Sequence, residues 1–277
     1  MQLQVAGLCK AKALEAAVDA AERAGRFLLG RFGRGSGRTY TEKHDVKLDE
    51  DLRAEEIVRL CLCDSYEFAF IGEESCEVAT YGPYVWVVDP LDGTANYERG
   101  IPHFSTSIAL LEDGVPIIGV VRNHATGEMM TSIAGEGAWL NGVPLQVSKT
   151  GTLDRAVLSG GFMKTEEMVQ RNLDFITRAV KSTFKLRVTG SAALELCEVA
   201  MGRFDIYSER GIRIWDIAAG LLIAREAGAW VSVSQIDGIS FDVTVLNPIL
   251  EREFSETFAD EAPFTVEIPS LLGNRRE

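Results

Sequence analysis

The chain has 277 residues, of which 46% are hydrophobic, and a formal net charge of −13. It is long enough to bury a large core, as one big domain or two apposed lobes. Neither its polarity nor its Gly and Pro content points to disorder. The acidic balance excludes a nucleic-acid-binding surface, which needs clustered Lys and Arg, and no apolar run approaches the roughly 18–20 residues of a membrane span.

The N-terminus lacks a secretory apolar core. Residues 14–29 instead alternate Ala, Val and Leu with Glu, Asp and Arg at helical spacing, which predicts an amphipathic helix. Residues 30–38 form a basic, glycine-rich loop that should be mobile. A helix precedes it where a dinucleotide-binding loop requires a strand, so that reading fails. Helical periodicity returns at 51–63, and 68–71 and 85–88 read as short buried strands. From 104 to 147 the pattern is β, with strands at 106–111, 117–121, 129–133 and 145–147. Turn signals separate them at Asp113-Gly114, Thr126-Gly127 and Asn141-Gly142, an antiparallel meander.

The second part alternates: strand 156–159, helix 166–180, strand 184–188, helix 192–200, strand 204–207, helix 217–227 and strand 230–233. Such alternation implies a sheet layered with helices. A boundary at 149–153 divides an N-terminal α+β lobe (1–150) from a C-terminal α/β lobe (151–277). Residues 235–267 are a polar and acidic stretch centred on Asn247-Pro248. The five cysteines (Cys9, Cys61, Cys63, Cys76 and Cys197) are odd in number and unpatterned. They read as reduced cysteines of a cytoplasmic protein, mostly core filler, and Cys61 and Cys63 lack the partners of a zinc site. His44, His103 and His124 show no metal-ligand spacing, and His103 is expected to have a structural role near the site.

Most functional information lies in Trp86-Val87-Val88-Asp89-Pro90-Leu91-Asp92-Gly93-Thr94. A buried strand ends in a turn that presents two carboxylates, followed by Gly-Thr and a segment able to start a helix. Clustered carboxylates repel and are costly to desolvate unless a positive charge sits between them. Oxygen ligands of this kind select Mg²⁺, held by a few carboxylates together with substrate phosphate. Three further acidic stretches fit a metal cluster: Glu73-Glu74 after a strand, Asp51 with Glu55 one turn on, and Asp216 at the opening of the helix at 217–227. Taken singly each has a plainer explanation, as a solvated turn, a first-turn acid or an N-cap.

Taken together, the ordered set Gly72-Glu73-Glu74, Asp89-Pro90-Leu91-Asp92-Gly93-Thr94-Ala95-Asn96-Tyr97, Gly190-Ser191-Ala192-Ala193 and Trp215-Asp216-Ile217-Ala218-Ala219-Gly220 resembles the inositol monophosphatase family of Mg²⁺-dependent, lithium-sensitive phosphatases. The resemblance runs from about residue 14 to 233 and implies a layered αβαβα sandwich, of the inositol monophosphatase and fructose-1,6-bisphosphatase type, and a homodimer. Carried over by position, Glu73, Asp89 and the Leu91 carbonyl would bind a first Mg²⁺, and Asp89, Asp92 and Asp216 a second. A third, weaker ion would lean on Glu73. The N–H groups of Gly93 and Thr94 would hold phosphate oxygens, and Lys43 falls near the family's phosphate-side lysine. Asp51 and the Thr94 hydroxyl would orient the attacking water, with Glu73 beside them. The implied reaction is phosphomonoester hydrolysis by direct attack of a metal-activated water, without a phospho-enzyme.

Inositol phosphatases of the family contact ring hydroxyls through a glutamate seven residues before the last metal aspartate, which here is Glu209. Ser159, Ser191 and Ala192 fall on other substrate-side positions. Histidinol-phosphatase relatives tend to carry Gly-Gly-Asp-Cys-Tyr where this chain has Gly190-Ser191-Ala192-Ala193-Leu194, and bisphosphate nucleotidases tend to lack an acid at the Glu209 position. Both comparisons favour inositol monophosphate or a similar polyol phosphate. Archaeal-type fructose-1,6-bisphosphatases share the Gly-Ser-Ala-Ala-Leu-Glu run, and histidinol phosphate or 3′-phosphoadenosine phosphate remain alternative substrates. A non-catalytic binding role is the other alternative, since some bacterial members associate with transcription machinery. Leu91-Asp92-Gly93-Thr94 also looks like part of a haloacid-dehalogenase signature, but Pro90 occupies the nucleophile position and removes that reading. After Gly228 the family's C-terminal pattern is lost, so its closing helix is expected to be displaced, divergent or absent.

Overall fold

A computed structural model describes residues 8–34, 38–42, 45–75, 82–162, 166–259 and 268–272. Helix α1 (Lys10–Arg31) presents an alanine face, with Ala13, Ala17, Ala20, Ala21 and Ala24 buried, which lets it lie close to a sheet. A hairpin, β1 (Arg38–Glu42) and β2 (Asp45–Leu48), leads into α2 (Asp49–Cys63). There follow β3 (Ala69–Gly72), β4 (Tyr84–Asp92), the short α3 (Thr94–Glu98), β5 (Ser105–Glu112), β6 (Val115–Asn123), β7 (Met129–Ile133), β8 (Gly137–Leu140) and β9 (Val143–Pro144).

Strands β3 to β9 form one seven-stranded sheet in sequence order, parallel only between β3 and β4. The continuous apolar runs in β4 and β5 arise because both faces of this sheet are covered. Trp86, Val88, Ile108 and Leu110 pack toward α1 and α2, while Val85, Val87, Ala109 and Leu111 pack in the opposite direction.

The second half supplies β10 (Val157–Ser159), α4 (Glu166–Ser182), β11 (Lys185–Arg187), α5 (Ala192–Ala200), β12 (Ile206–Arg213), α6 (Ile214–Glu226), β13 (Trp230–Gln235), β14 (Ser240–Leu246) and α7 (Glu251–Thr257). Its five-stranded sheet runs β11-β10-β12-β14-β13. Helices α5 and α6 lie between the two sheets, and their core includes Val87 and Val121 on one side and Tyr207, Phe241 and Val243 on the other. Phe175, Phe254 and Phe258 cover the outer face of the second sheet. The layering is the expected αβαβα sandwich. No helix among the described residues is long and apolar enough to cross a membrane.

Several elements differ from expectation for identifiable reasons. Residues 145–147 are not a strand. The meander ends in β8 and β9 around Asn141-Gly142, both at positive φ (49° and 80°). Leu145 N–H still reaches the Ala138 carbonyl, but Val147 N–H turns away to Ala227. Strand β12 begins at Ile206 and runs on through Ser208-Glu209-Arg210, where polar residues hid it, across a bulge between Glu209 and Ile212. The stretch read as polar holds β14, a central strand whose Phe241, Val243 and Val245 alternate inward, and α7. Ile268 and Leu271 return to the core between the sheets. Cys9 and Cys63 are exposed and Cys61 half-buried, so of the described cysteines only Cys197 fills the core. Part of the basic loop, together with Lys43, His44 and Cys76, lies outside the described residues.

Candidate metal centre

In a regular strand, residues three apart point to opposite faces. Asp89 pairs with Ser107 and Asp92 with Ser105, so three steps on β4 match two on β5. The extra residue is a bulge, the device that re-aims side chains at a strand end, and it brings both carboxylates to one side. Leu91 N–H donates to Asp89 Oδ1 at 2.9 Å, closing a tight local turn. The parallel pairing of β3 with β4 sets Gly72 opposite Val88, and Glu73 N–H continues it to the Val88 carbonyl at 3.1 Å. Glu73 therefore emerges beside Asp89.

Asp216 enters from the far half of the chain. It lies in the first turn of α6 rather than at its cap, because the helix begins at Ile214, and Arg213 N–H donates to its Oδ2 at 3.2 Å. Glu73, Asp89 and Asp216 each offer a carboxylate oxygen within 4.8 Å of the others. Burial, then the neighbouring carboxylates, push Asp89 and Asp216 well above the usual carboxylate range. The Glu73 carboxyl is the first of the neighbours that raise Asp89, and carboxylates this close favour a proton or a cation between them.

Asp92 is buried and shaped differently. Ser105 Oγ (3.1 Å), Ser191 Oγ and Ala193 N–H (3.0 Å) all donate to its Oδ2, so Oδ1 takes part in none of these bonds. Burial raises its pKa against those donors. Ser191 caps α5 by accepting Leu194 N–H, so the start of that helix, including Ala192, sits over Asp92. Asp51, in the first turn of α2, accepts Leu48 N–H at 2.8 Å on Oδ2. Its buried Oδ1 has no hydrogen-bond partner, and burial followed by Glu74, Glu73 and Glu50 pushes its pKa up to about 8. A crowded, all-oxygen, largely buried set with an orphaned carboxylate oxygen fits a hard divalent cation.

Gly93 takes the left-handed conformation (φ 91°) that turns the chain from β4 into α3. The first N–H groups of a helix have no acceptors within it. The Thr94 hydroxyl gives its proton to the Leu91 carbonyl at 2.9 Å, so toward any other partner it is an acceptor.

On the second sheet, Glu209 Oε2 accepts from Gly161 N–H and from the buried Tyr207 hydroxyl, both at 2.8 Å. Its pKa is pushed up to about 7, chiefly by burial. Glu209 also borders a small cleft lined by Gly161, Phe162, Arg171 and Asn172. The guanidinium of the neighbouring Arg210 contacts Asp242, the Val243 carbonyl and the main-chain carbonyl of Glu209. Ser159 is fully buried, and its hydroxyl donates to the Ile206 carbonyl at 3.4 Å instead of opening to the cluster. His103 Nε2 meets Thr189 Oγ1 at 3.0 Å, and Asn96 ties the His103 and Thr189 carbonyls together at 2.8 Å, fastening the 189–191 loop to the site. Sequence reasoning quoted Asn96 within its motif without a role and missed Ser105 and Glu195, since Ser in a strand or Glu in a helix carries no signal until the fold places it.

A model of the inositol monophosphatase family matches residues 10–264. An inositol monophosphatase of Mesembryanthemum crystallinum is 35% identical over 260 residues, covering 88% of this chain and 95% of the relative. A Nus factor SuhB of Xylella fastidiosa is 37% identical over 218 residues, 77% of this chain and 79% of the relative. The solved structure of a Thermotoga maritima IMPase superposes with a TM-score of 0.81 at 30% identity, covering 90% of this chain and 97% of that one.

Proposed function

The chain belongs to the inositol monophosphatase family, and from that premise we propose that it is a Mg²⁺-dependent phosphomonoesterase acting on inositol monophosphate or a similar polyol phosphate. The convergence of Glu73, Asp89 and Asp216 within 4.8 Å carries this reading, with Asp92 near enough to raise both Asp89 and Asp216. Glu73, Asp89 and the Leu91 carbonyl would hold one ion, and Asp89, Asp92 and Asp216 another, with a third, weaker ion at Glu73. Bound magnesium supplies positive charge against the phosphoryl oxygens and the leaving alkoxide, and it acidifies water.

The protein's own groups do the positioning. Thr94, with its proton committed to Leu91, accepts a hydrogen bond from the attacking water, and Asp51 Oδ1 is the unengaged acceptor for the second one. The Gly93 and Thr94 N–H groups bind phosphate oxygens as α3 begins. Water in line with the departing oxygen needs no phospho-enzyme. Glu209, its Oε2 held by Tyr207 and Gly161, has Oε1 for vicinal hydroxyls of the alcohol.

Phosphate release from inositol 1-phosphate, fructose 1,6-bisphosphate, histidinol phosphate and adenosine 3′,5′-bisphosphate, with Mg²⁺ and with or without lithium, tests the proposal. Inositol 1-phosphate should be the best substrate, and absence of Mg²⁺-dependent release from all four would overturn it in favour of a binding role. Glu209→Gln should raise KM for the polyol phosphate about tenfold, the loss of one hydrogen bond to a charged group. Hydrolysis of an aryl phosphate without hydroxyls should stay within about twofold, and equal losses on both would remove Glu209 from the substrate side.

A further inference from the structure

A bulge interrupts the hydrogen-bond ladder of its strand, so whatever holds the bulge in shape governs where its side chains aim. Here the bulge contains Pro90 and Leu91, and the residue opposite them on β5, between the paired Ser105 and Ser107, is Thr106. The buried Thr106 hydroxyl donates to the Pro90 carbonyl at 2.7 Å. The same oxygen lies 2.8 Å from Nε2 of His124, the residue that follows β6. A hydroxyl has one proton, already given to Pro90, so the imidazole is the donor and carries its hydrogen on Nε2.

The rest of the ring's surroundings agree with that tautomer. His124 is 3% exposed, and its Nδ1 has no hydrogen-bond partner. Burial and Arg122 keep the ring neutral, with its pKa pushed down to about 3. Its back is set against α1 at Gly25, where an added Cβ would stand 2.4 Å from Nδ1 and 2.7 Å from Cε1. The ring is thus wedged between a helix and the sheet with a single polar engagement, pointed at Thr106.

We propose that His124, acting through Thr106, is a positioning residue for the metal centre, locking the bulge that turns Asp89 and Asp92 to one side. The inference rests on the metal-site reading and concerns how the ligands are aimed. It does not place His124 in contact with substrate or ion. Outer partners of metal ligands typically change affinity 10–100-fold when removed.

The test is Mg²⁺ titration of the metal-free protein by calorimetry, without substrate, beside its thermal melt. Thr106→Val keeps the shape and loses the hydroxyl, and Thr106→Ser restores it. His124→Leu removes the donor, His124→Gln offers an amide N–H, and Gly25→Ala pushes the ring off its seat. Thr106→Val, His124→Leu and Gly25→Ala should each weaken Mg²⁺ binding about tenfold, while Thr106→Ser and His124→Gln stay within about threefold. The Thr106→Val/His124→Leu double variant should bind no more weakly than the worse single one. Unchanged Mg²⁺ affinity in Thr106→Val, with only a lowered melting temperature, would overturn the proposal even if the His124 variants fail to fold. A wild-type protein that takes up no Mg²⁺ would instead overturn the metal-site reading itself.

Discussion

Asp89→Asn should abolish phosphatase activity, by about 10³-fold or more, while making the metal-free protein more stable. Asp89 is the carboxylate assigned to two ions, and an amide brings one neutral acceptor and an N–H₂ that no cation tolerates. The opposite sign for stability follows from the same crowding. Asp89 is 1% exposed and stands among Glu73, Asp92 and Asp216, so without metal its charge is desolvated and repelled on folding. A neutral isostere removes that cost. Steady-state assays and metal-free melting curves at pH 7.5, run side by side, check both halves. Activity lost together with a lower melting temperature would mean misfolding, and activity retained would remove Asp89 from the chemistry.

Chelation should abolish activity and expose an alkaline weakness that Mg²⁺ conceals. Asp51 has a folded pKa of about 8 against 3.8 for a free aspartate, so the folded state holds a proton that the unfolded chain releases. Its contribution is fully present below about pH 4 and is lost as the pH rises through about 8. Asp89 and Asp216 shift in the same direction, burial being the largest cause in each. His124 works oppositely. Its folded pKa of about 3 lies below the ordinary 6.5, so its contribution is present above 6.5 and fades as the pH falls toward 3. Metal-free protein should therefore melt progressively lower from pH 6 to pH 9. With saturating Mg²⁺ that alkaline decline should flatten, because the cation replaces the protons and binding releases them. Melting curves in chelator and in Mg²⁺ across that range read the effect directly, and parallel curves would contradict it.

Much of this was legible because the informative segments are local. The run from Trp86 to Thr94 announces a buried strand, a turn and a helix start without help from the rest of the chain. Asn141-Gly142 likewise marks its hairpin. The errors came where long-range pairing decides. β14 was hidden in an acidic stretch, although Phe241, Val243 and Val245 alternate cleanly, because Asp242 and the flanking charges dominate its composition. β12 looked finished at Tyr207, since Ser208-Glu209-Arg210 is polar, yet its pairing with β14 carries it onward. At the site, the acids were visible and their supports were not. Ser105 became a partner of Asp92 only through sheet register. Ser191 reaches the same carboxylate from the other half of the chain, a support that its place in the sequence does not announce. His124 looked like a loop histidine without a task, and its link to Pro90 depends on Thr106 facing the bulge.

Crystals of the protein soaked in Mn²⁺, an anomalous scatterer that takes the same oxygen ligands as Mg²⁺, test the central claim most directly. The account predicts anomalous peaks bracketing Asp89, one within about 2.2 Å of oxygens of Glu73 and Asp89 and one within reach of Asp92 and Asp216. Peaks confined to surface carboxylates, with Glu73, Asp89 and Asp216 holding only one another, would contradict it.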